Sequence, residues 1–147
     1  DVELDFDFDK VVQKTRENPV FYVQYCYARI SSVFRTLNID TDKVFQINES
    51  NFKLNSHELN LFRKILDWPK VVETSSVKFE PHRIPFYLYE LATLFHSYWS
   101  KGNEDPNYKF IIDGKVKNEN TILIIKLVAL TIENGMTILD VSLPKKM

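Results

Sequence analysis

The stretch Asn18-Pro19-Val20-Phe21-Tyr22-Val23-Gln24-Tyr25-Cys26-Tyr27-Ala28-Arg29-Ile30 constrains the fold more than any other part of the chain. Asn18 offers a side-chain oxygen to the free amides of a first helical turn. Pro19 fits the first helical position, where its missing N–H costs nothing. From there Val20, Val23, Tyr27, Ile30, Phe34 and Leu37 recur at steps of three and four. Such a stripe gathers on one side only in an α-helix packed against a core. A second stripe, Tyr22, Tyr25, Arg29 and Ser32, runs beside it. Aromatic rings next to a guanidinium at the edge of a buried face can grip an unstacked base. The same side chains also suit the amphipathic border of a core helix, and the helix taken alone favours that border reading, since tyrosine commonly sits there.

The rest of the chain reads as further helices joined by loops. Val2, Leu4, Phe6 and Phe8 alternate with acids, the pattern of a half-buried strand that needs a partner. After a polar loop, the first helix covers about 19–37, and 38–51 is a polar connector. Asn55 and Glu58 have the spacing of a capping box, opening a second helix with Leu59, Phe62 and Leu66 as its apolar face. Trp68-Pro69 ends or kinks that helix, and a third covers 70–79. The run from Glu80 to Pro85 opens a fourth, with Ile84, Leu88, Leu91, Phe95 and Tyr98 as core stripe and Gly102 as stop. A loop follows, with turn signals at Asp105-Pro106 and Asp113-Gly114 and a short extended piece at Tyr108 to Ile112. The last helix starts near Asn120, presents Leu123, Leu127 and Leu130, and stops at Asn134-Gly135. The expected fold is therefore all-α, a bundle of four to five helices, with a short acidic extended segment in front.

Composition removes several function classes. The 147 residues suit one domain with a sizeable core. Only 3 glycines are present, and none forms a loop that could cradle a phosphate. The lone Cys26 rules out a disulfide framework or a cysteine metal cage. His57, His82 and His96 lack ligand spacing, so no metal is expected. No Ser or Cys has the context of a nucleophile, so catalytic residues are expected to be absent. No apolar run is judged long enough to span a membrane, and no signal peptide is seen. Beginning at Asp1, the chain reads as a piece of something larger. Net charge is −1, but five acids lie in the first nine residues, and without them the rest carries +4. Nucleic-acid contact would then depend more on stacking and shape than on bulk phosphate attraction.

Three separated blocks carry a resemblance. Asn18-Pro19-x-Phe21-Tyr22-Val23-Gln24-Tyr25-x-x-Ala28-Arg29 is the first. Glu80-Pro81-His82-Arg83-Ile84, with Tyr87-Leu88-Tyr89-Glu90-Leu91-Ala92 and Phe95-His96, is the second. Asn134-Gly135-Met136-x-x-Leu139-x-Val141-x-x-Pro144-x-Lys146-Met147 is the third. In order and spacing the chain resembles the C-terminal anticodon-binding domain (DALR type) of arginyl-tRNA synthetases. The resemblance implies residues 1–17 as the link out of an absent catalytic domain and 18–147 as the helical RNA-reading domain. That catalytic domain is the expected partner within the same chain. It would hold ATP and arginine, and its His-Ile-Gly-His and Lys-Met-Ser-Lys-Ser signatures are absent here. No cofactor is expected in this fragment, which should not aminoacylate alone. The implied partner is the anticodon loop of an arginine tRNA, with no DNA or membrane role and a cytoplasmic location.

Carried over by motif, the second anticodon base meets Tyr25 and Arg29 on the first helix and Tyr98 on the later helix, with Trp99 as the register alternative. The terminal contact falls on Met147. A mobile loop near the anticodon corresponds to Lys14, Thr15, Arg16, Glu17 and Asn18. Tyr98 fits the core stripe equally well, and a terminal Met147 can simply fray. Where the family opens its last helix with an arginine, this chain has Thr121, so a salt bridge from that position is in doubt. A helical protein-interaction domain without RNA binding, or the corresponding domain of another class I synthetase such as the cysteine enzyme, are the alternatives.

Overall fold

The computed structural model describes residues 15, 17–40 and 53–147. The acidic alternating segment, Lys14, Arg16 and most of the connector at 41–52 lie outside the described residues.

Five helices account for most of what is described: α1 (Pro19–Thr36), α2 (Ser56–Leu66), α3 (Trp68–Val77), α4 (Arg83–Glu104) and α5 (Glu119–Ile138). Each start has a local cause. Asn18 Oδ1 accepts from the amides of Val20 (3.1 Å) and Phe21 (3.2 Å), and Pro19 sits at the first position. Asn55 and Glu58 form the expected reciprocal box. Pro69 opens α3 rather than merely ending α2.

The helix ends differ from expectation. Gly102 lies inside α4 and Gly135 inside α5. Both positions need a small residue for close approach. A Cβ on Gly135 would come within 2.7 Å of Leu88 Cδ2, and one on Gly102 within 3.0 Å of the Tyr108 carbonyl oxygen. Three helices close instead on non-glycine residues in the left-handed region: Asn38 (φ 50°), Phe79 (φ 55°) and Asp140 (φ 55°). At each, paired backbone bonds tie down the last carbonyls, as in Ile39 N to Phe34 O (3.0 Å) with Asn38 N to Arg35 O (3.1 Å).

α4 is the axis of the molecule and contacts every other helix. Leu91, Phe95, Ile124, Ile125, Val128 and Ile132 are fully buried around it. Each such side chain contributes about 1.5–3 kcal/mol of transfer free energy. The 3.6-residue period of α5 is as expected, but its face is rotated: Leu130 is exposed, whereas Ile122, Ile124, Ile125 and Ile132 point inward. In α2, likewise, Glu58 and Leu61 are buried while Leu66 is exposed. By length and mean hydropathy of 1.6, α5 meets the measure of a membrane span, contrary to the sequence reading. Its inward face is packed on α1, α2 and α4, which is the place of a core helix.

Between α4 and α5 the chain makes a 3₁₀ turn (Pro106–Tyr108) and a small hairpin. Strand β1 (Ile111–Ile112) pairs antiparallel with β2 (Lys115–Val116) across Asp113-Gly114. Phe110 anchors this excursion, its ring 4.7 Å from that of Tyr98.

One buried polar node fastens three helices. Glu58 is fully buried, and its Oε1 accepts from the Tyr98 hydroxyl of α4 (2.9 Å) and from the Thr121 hydroxyl of α5. Its Oε2 accepts from the Asn55 amide (2.8 Å), while Asn55 Nδ2 donates to the Tyr98 oxygen (3.0 Å). Thr121, which stands where the resembled family carries arginine, thus meets Glu58 through a hydroxyl hydrogen bond rather than an ion pair.

Candidate functional site

The second stripe of α1 divides in the folded chain. Tyr22 is buried and its ring lies 4.5 Å from that of His96, so it belongs to the core border. Ser32 is exposed. Tyr25 and Arg29, one helical turn apart, are half-buried and face α4.

Arg29 sits in a box of rings. Its Cζ is 4.4 Å from the Tyr25 ring centroid and 5.0 Å from that of Trp99. Nη2 donates to the Tyr25 hydroxyl at 2.7 Å, and Nη1 lies 3.2 Å from His96 Nδ1. Arginine cannot accept a hydrogen bond, so Nδ1 must be the acceptor. The ring proton then belongs on Nε2, which lies 3.5 Å from the Tyr22 carbonyl. The Tyr25 and His96 rings are stacked at 5.6 Å, and the Phe21 ring is stacked with that of Tyr25 at 6.2 Å. Among the described residues Arg29 has no carboxylate partner. Among the described residues, two of the guanidinium's five N–H donors have hydrogen-bond partners. Beneath it, burial pushes the Cys26 thiol well above its ordinary pKa, with the Arg29 charge pulling the other way.

Tyr98 is not at this site. Its side chain is 2% exposed and its hydroxyl is committed to Glu58 and Asn55. Adjacent residues on a helix point about 100° apart. The neighbouring Trp99 therefore faces Arg29, and the register alternative is the residue at the site. His96, three residues before Trp99, was given no role by the sequence beyond its place in the second motif block. Its spacing to Trp99 was the available signal. Beside Trp99 a cleft of about 270 Å³ opens between α1, α4 and the hairpin, lined by Val33, Tyr108, Lys109 and Phe110 among others.

Met147 is half-exposed. The tail leading to it is strapped to α1 by two bonds onto backbone carbonyls. Gln24 Nε2 donates to Ser142 O (2.8 Å) and Arg35 Nη1 to Lys145 O (2.7 Å). At about 100° per residue, Gln24 and Arg35 lie on a different flank of α1 from Tyr25 and Arg29. These contacts do not join Met147 to the pair. Of the loop at 14–18, Thr15, Glu17 and Asn18 are described. Thr15 O accepts from the Asn18 amide at 3.1 Å, closing a tight turn directly before α1.

What the box offers chemically is specific. Flat rings packed against a cation that has further N–H donors suit a planar heterocycle with acceptor atoms on one edge.

Comparison with known proteins bears on which ligand that is. A family model described as the DALR anticodon binding domain matches residues 23–147. The arginine–tRNA ligase of Pelagibacter ubique (strain HTCC1062) is 47% identical over 147 residues, covering 100% of this chain and 26% of that protein. The ligase of Roseobacter denitrificans is 40% identical over 154 residues, with the same coverage. The chain thus spans about a quarter of the length of the curated relatives it matches. A solved protein assigned as an arginyl-tRNA synthetase from Campylobacter jejuni superimposes with a TM-score of 0.82 at 27% identity, over 100% of this chain and 30% of that one. The Thermus thermophilus arginyl-tRNA synthetase shares the fold, with a TM-score of 0.77 at 22% identity over 98% and 24%.

Proposed function

The chain belongs to the DALR anticodon-binding domain family, and from that premise we propose that it reads the anticodon loop of an arginine tRNA for a class I arginine–tRNA ligase. The parent attaches arginine to its tRNA using ATP. Both small substrates bind its catalytic domain, which lies elsewhere in the same longer chain, and the whole works in the cytoplasm. This fragment contributes recognition, not catalysis.

The observation that carries the reading is the Arg29 guanidinium, packed against the rings of Tyr25 and Trp99 without a carboxylate partner among the described residues. An unstacked second anticodon base stacks on these rings, and Arg29 donates to its acceptor edge. A cytosine presents O2 and N3 there. Stacking tolerates any base, whereas the donor pattern discriminates. His96 positions Arg29 through Nδ1. Met147 is assigned to this pocket by family motif alone, since its tail is tethered on a different flank of α1, and the turn at Thr15–Asn18 stands at the N-terminal end of that helix.

Titration of the chain with an arginine tRNA and with one altered at the second anticodon base tests this. Discrimination of about 1–3 kcal/mol, roughly 5- to 150-fold, is expected from one well-made base contact, and Arg29→Ala should abolish it. Equal binding of both RNAs by the unaltered chain would overturn the assignment.

A further inference from the structure

A second surface on α1 has different chemistry. On the flank opposite Tyr25 and Arg29, a groove of about 870 Å³ runs between α1, α5 and the C-terminal tail. Arg35 on α1, Lys126 on α5 and Lys145 and Lys146 on the tail line it. Glu133 is the acid on this surface, and it already accepts from the Tyr27 hydroxyl across the groove floor. Four cations therefore line the groove against one engaged carboxylate, in a chain whose net charge is −1. Arg35, Lys145 and Lys146 are exposed.

The tail is placed rather than loose. Arg35 Nη1 donates to the Lys145 carbonyl at 2.7 Å, and Gln24 Nε2 donates to the Ser142 carbonyl at 2.8 Å. Both tethers grip backbone oxygens, so the Lys145 and Lys146 ammonium groups stay available whatever the tail's side chains do.

We propose that this groove binds the phosphodiester backbone of the RNA whose base is read at Arg29. The inference rests on that reading and extends it to a second surface. Arg35 lies six residues beyond Arg29, about 9 Å along the helix axis. Because the groove lies on the other flank, a strand that places one base against Arg29 would continue around α1, about 10–12 Å across with its side chains, to lay neighbouring phosphates against the lysines. Phosphate contacts of this kind fix register and add affinity without reading sequence.

The test uses the chain titrated with arginine tRNA, and with the tRNA altered at the second anticodon base, across 50–200 mM salt. The variant is Lys145→Ala/Lys146→Ala, which leaves both backbone tethers in place. The slope of log K against log salt should become shallower by about 1.4, since each single-strand phosphate contact contributes about 0.7. Affinity should fall for both RNAs by the same factor, with their ratio unchanged. Lys126→Gln should give a further decrease in slope, and thermal melting checks that the variants remain folded. An unchanged slope while the unaltered chain still discriminates the two RNAs overturns the groove alone. A reduced slope without discrimination overturns the base-reading alone. Absence of any tRNA binding by the unaltered chain overturns both.

Discussion

Replacing Tyr98 with phenylalanine separates a structural residue from a recognition residue. The hydroxyl donates to Glu58 at 2.9 Å and accepts from Asn55 at 3.0 Å, in a place where Glu58 has no solvent. Phenylalanine keeps the ring's packing on Phe110 and His57. The change therefore isolates the hydroxyl. Loss of one hydrogen bond to a buried carboxylate costs about 1.5–3 kcal/mol. For a domain of this size each kcal/mol lowers the melting temperature by roughly 2–4 °C, so a fall of about 3–12 °C is expected. Calorimetry or circular dichroism would read it. The affinity ratio for the two tRNAs should stay within about twofold, because no part of Tyr98 faces Arg29. A Tyr98→Phe chain that melts normally but no longer distinguishes the second anticodon base would refute the placement. Trp99 would then have been wrongly preferred.

Trp99→Ala should do the reverse in binding, weakening tRNA affinity by the 1–3 kcal/mol typical of a lost base–aromatic stack, as measured by fluorescence titration. Gly135→Ala should lower stability by about 1–3 kcal/mol, since the new Cβ meets the buried Leu88 side chain. An unchanged or raised melting temperature would show that Leu88 yields freely. At high pH, burial holds the Tyr27 and Tyr98 hydroxyls up at about 12, and Tyr87 is raised as well. Their ordinary value is 10, so the unfolded chain loses these protons first. Stability present below pH 10 should be lost as pH rises from 10 towards 12. Absorbance at 295 nm should show late-ionising tyrosines, and melting temperature should decline over the same interval.

The helices were legible because their ends carry local chemistry: Asn18-Pro19 and the Asn55–Glu58 box specify starts without any tertiary contact. Glycine misled because the same residue can end a helix or admit a neighbour, and only packing tells which. Gly135 against Leu88 and Gly102 against Tyr108 are decided by contacts at long sequence separation. The left-handed closures at Asn38, Phe79 and Asp140 were invisible for the same reason, two of the three being residues with no strong turn signal in context. At the site, Tyr25 and Arg29 followed from helical spacing, and the structure joins them directly. The choice between Tyr98 and Trp99 did not, because both are aromatic and a shift of one position turns a helix face by about 100°. What decides it is Glu58, a charged residue that sequence reasoning places on the surface and the fold encloses.

That enclosure has a bearing on how the chain behaves in different buffers. The contact that fastens α2, α4 and α5 is built from a carboxylate and hydroxyl or amide donors, with no cation bonded to it among the described residues. Mobile ions do not reach it, and the ion pairs among the described residues each have at least one partner well exposed to solvent, where such pairs contribute little. Raising ionic strength should leave the fold's stability nearly level, so a salt titration of RNA binding would report association rather than unfolding.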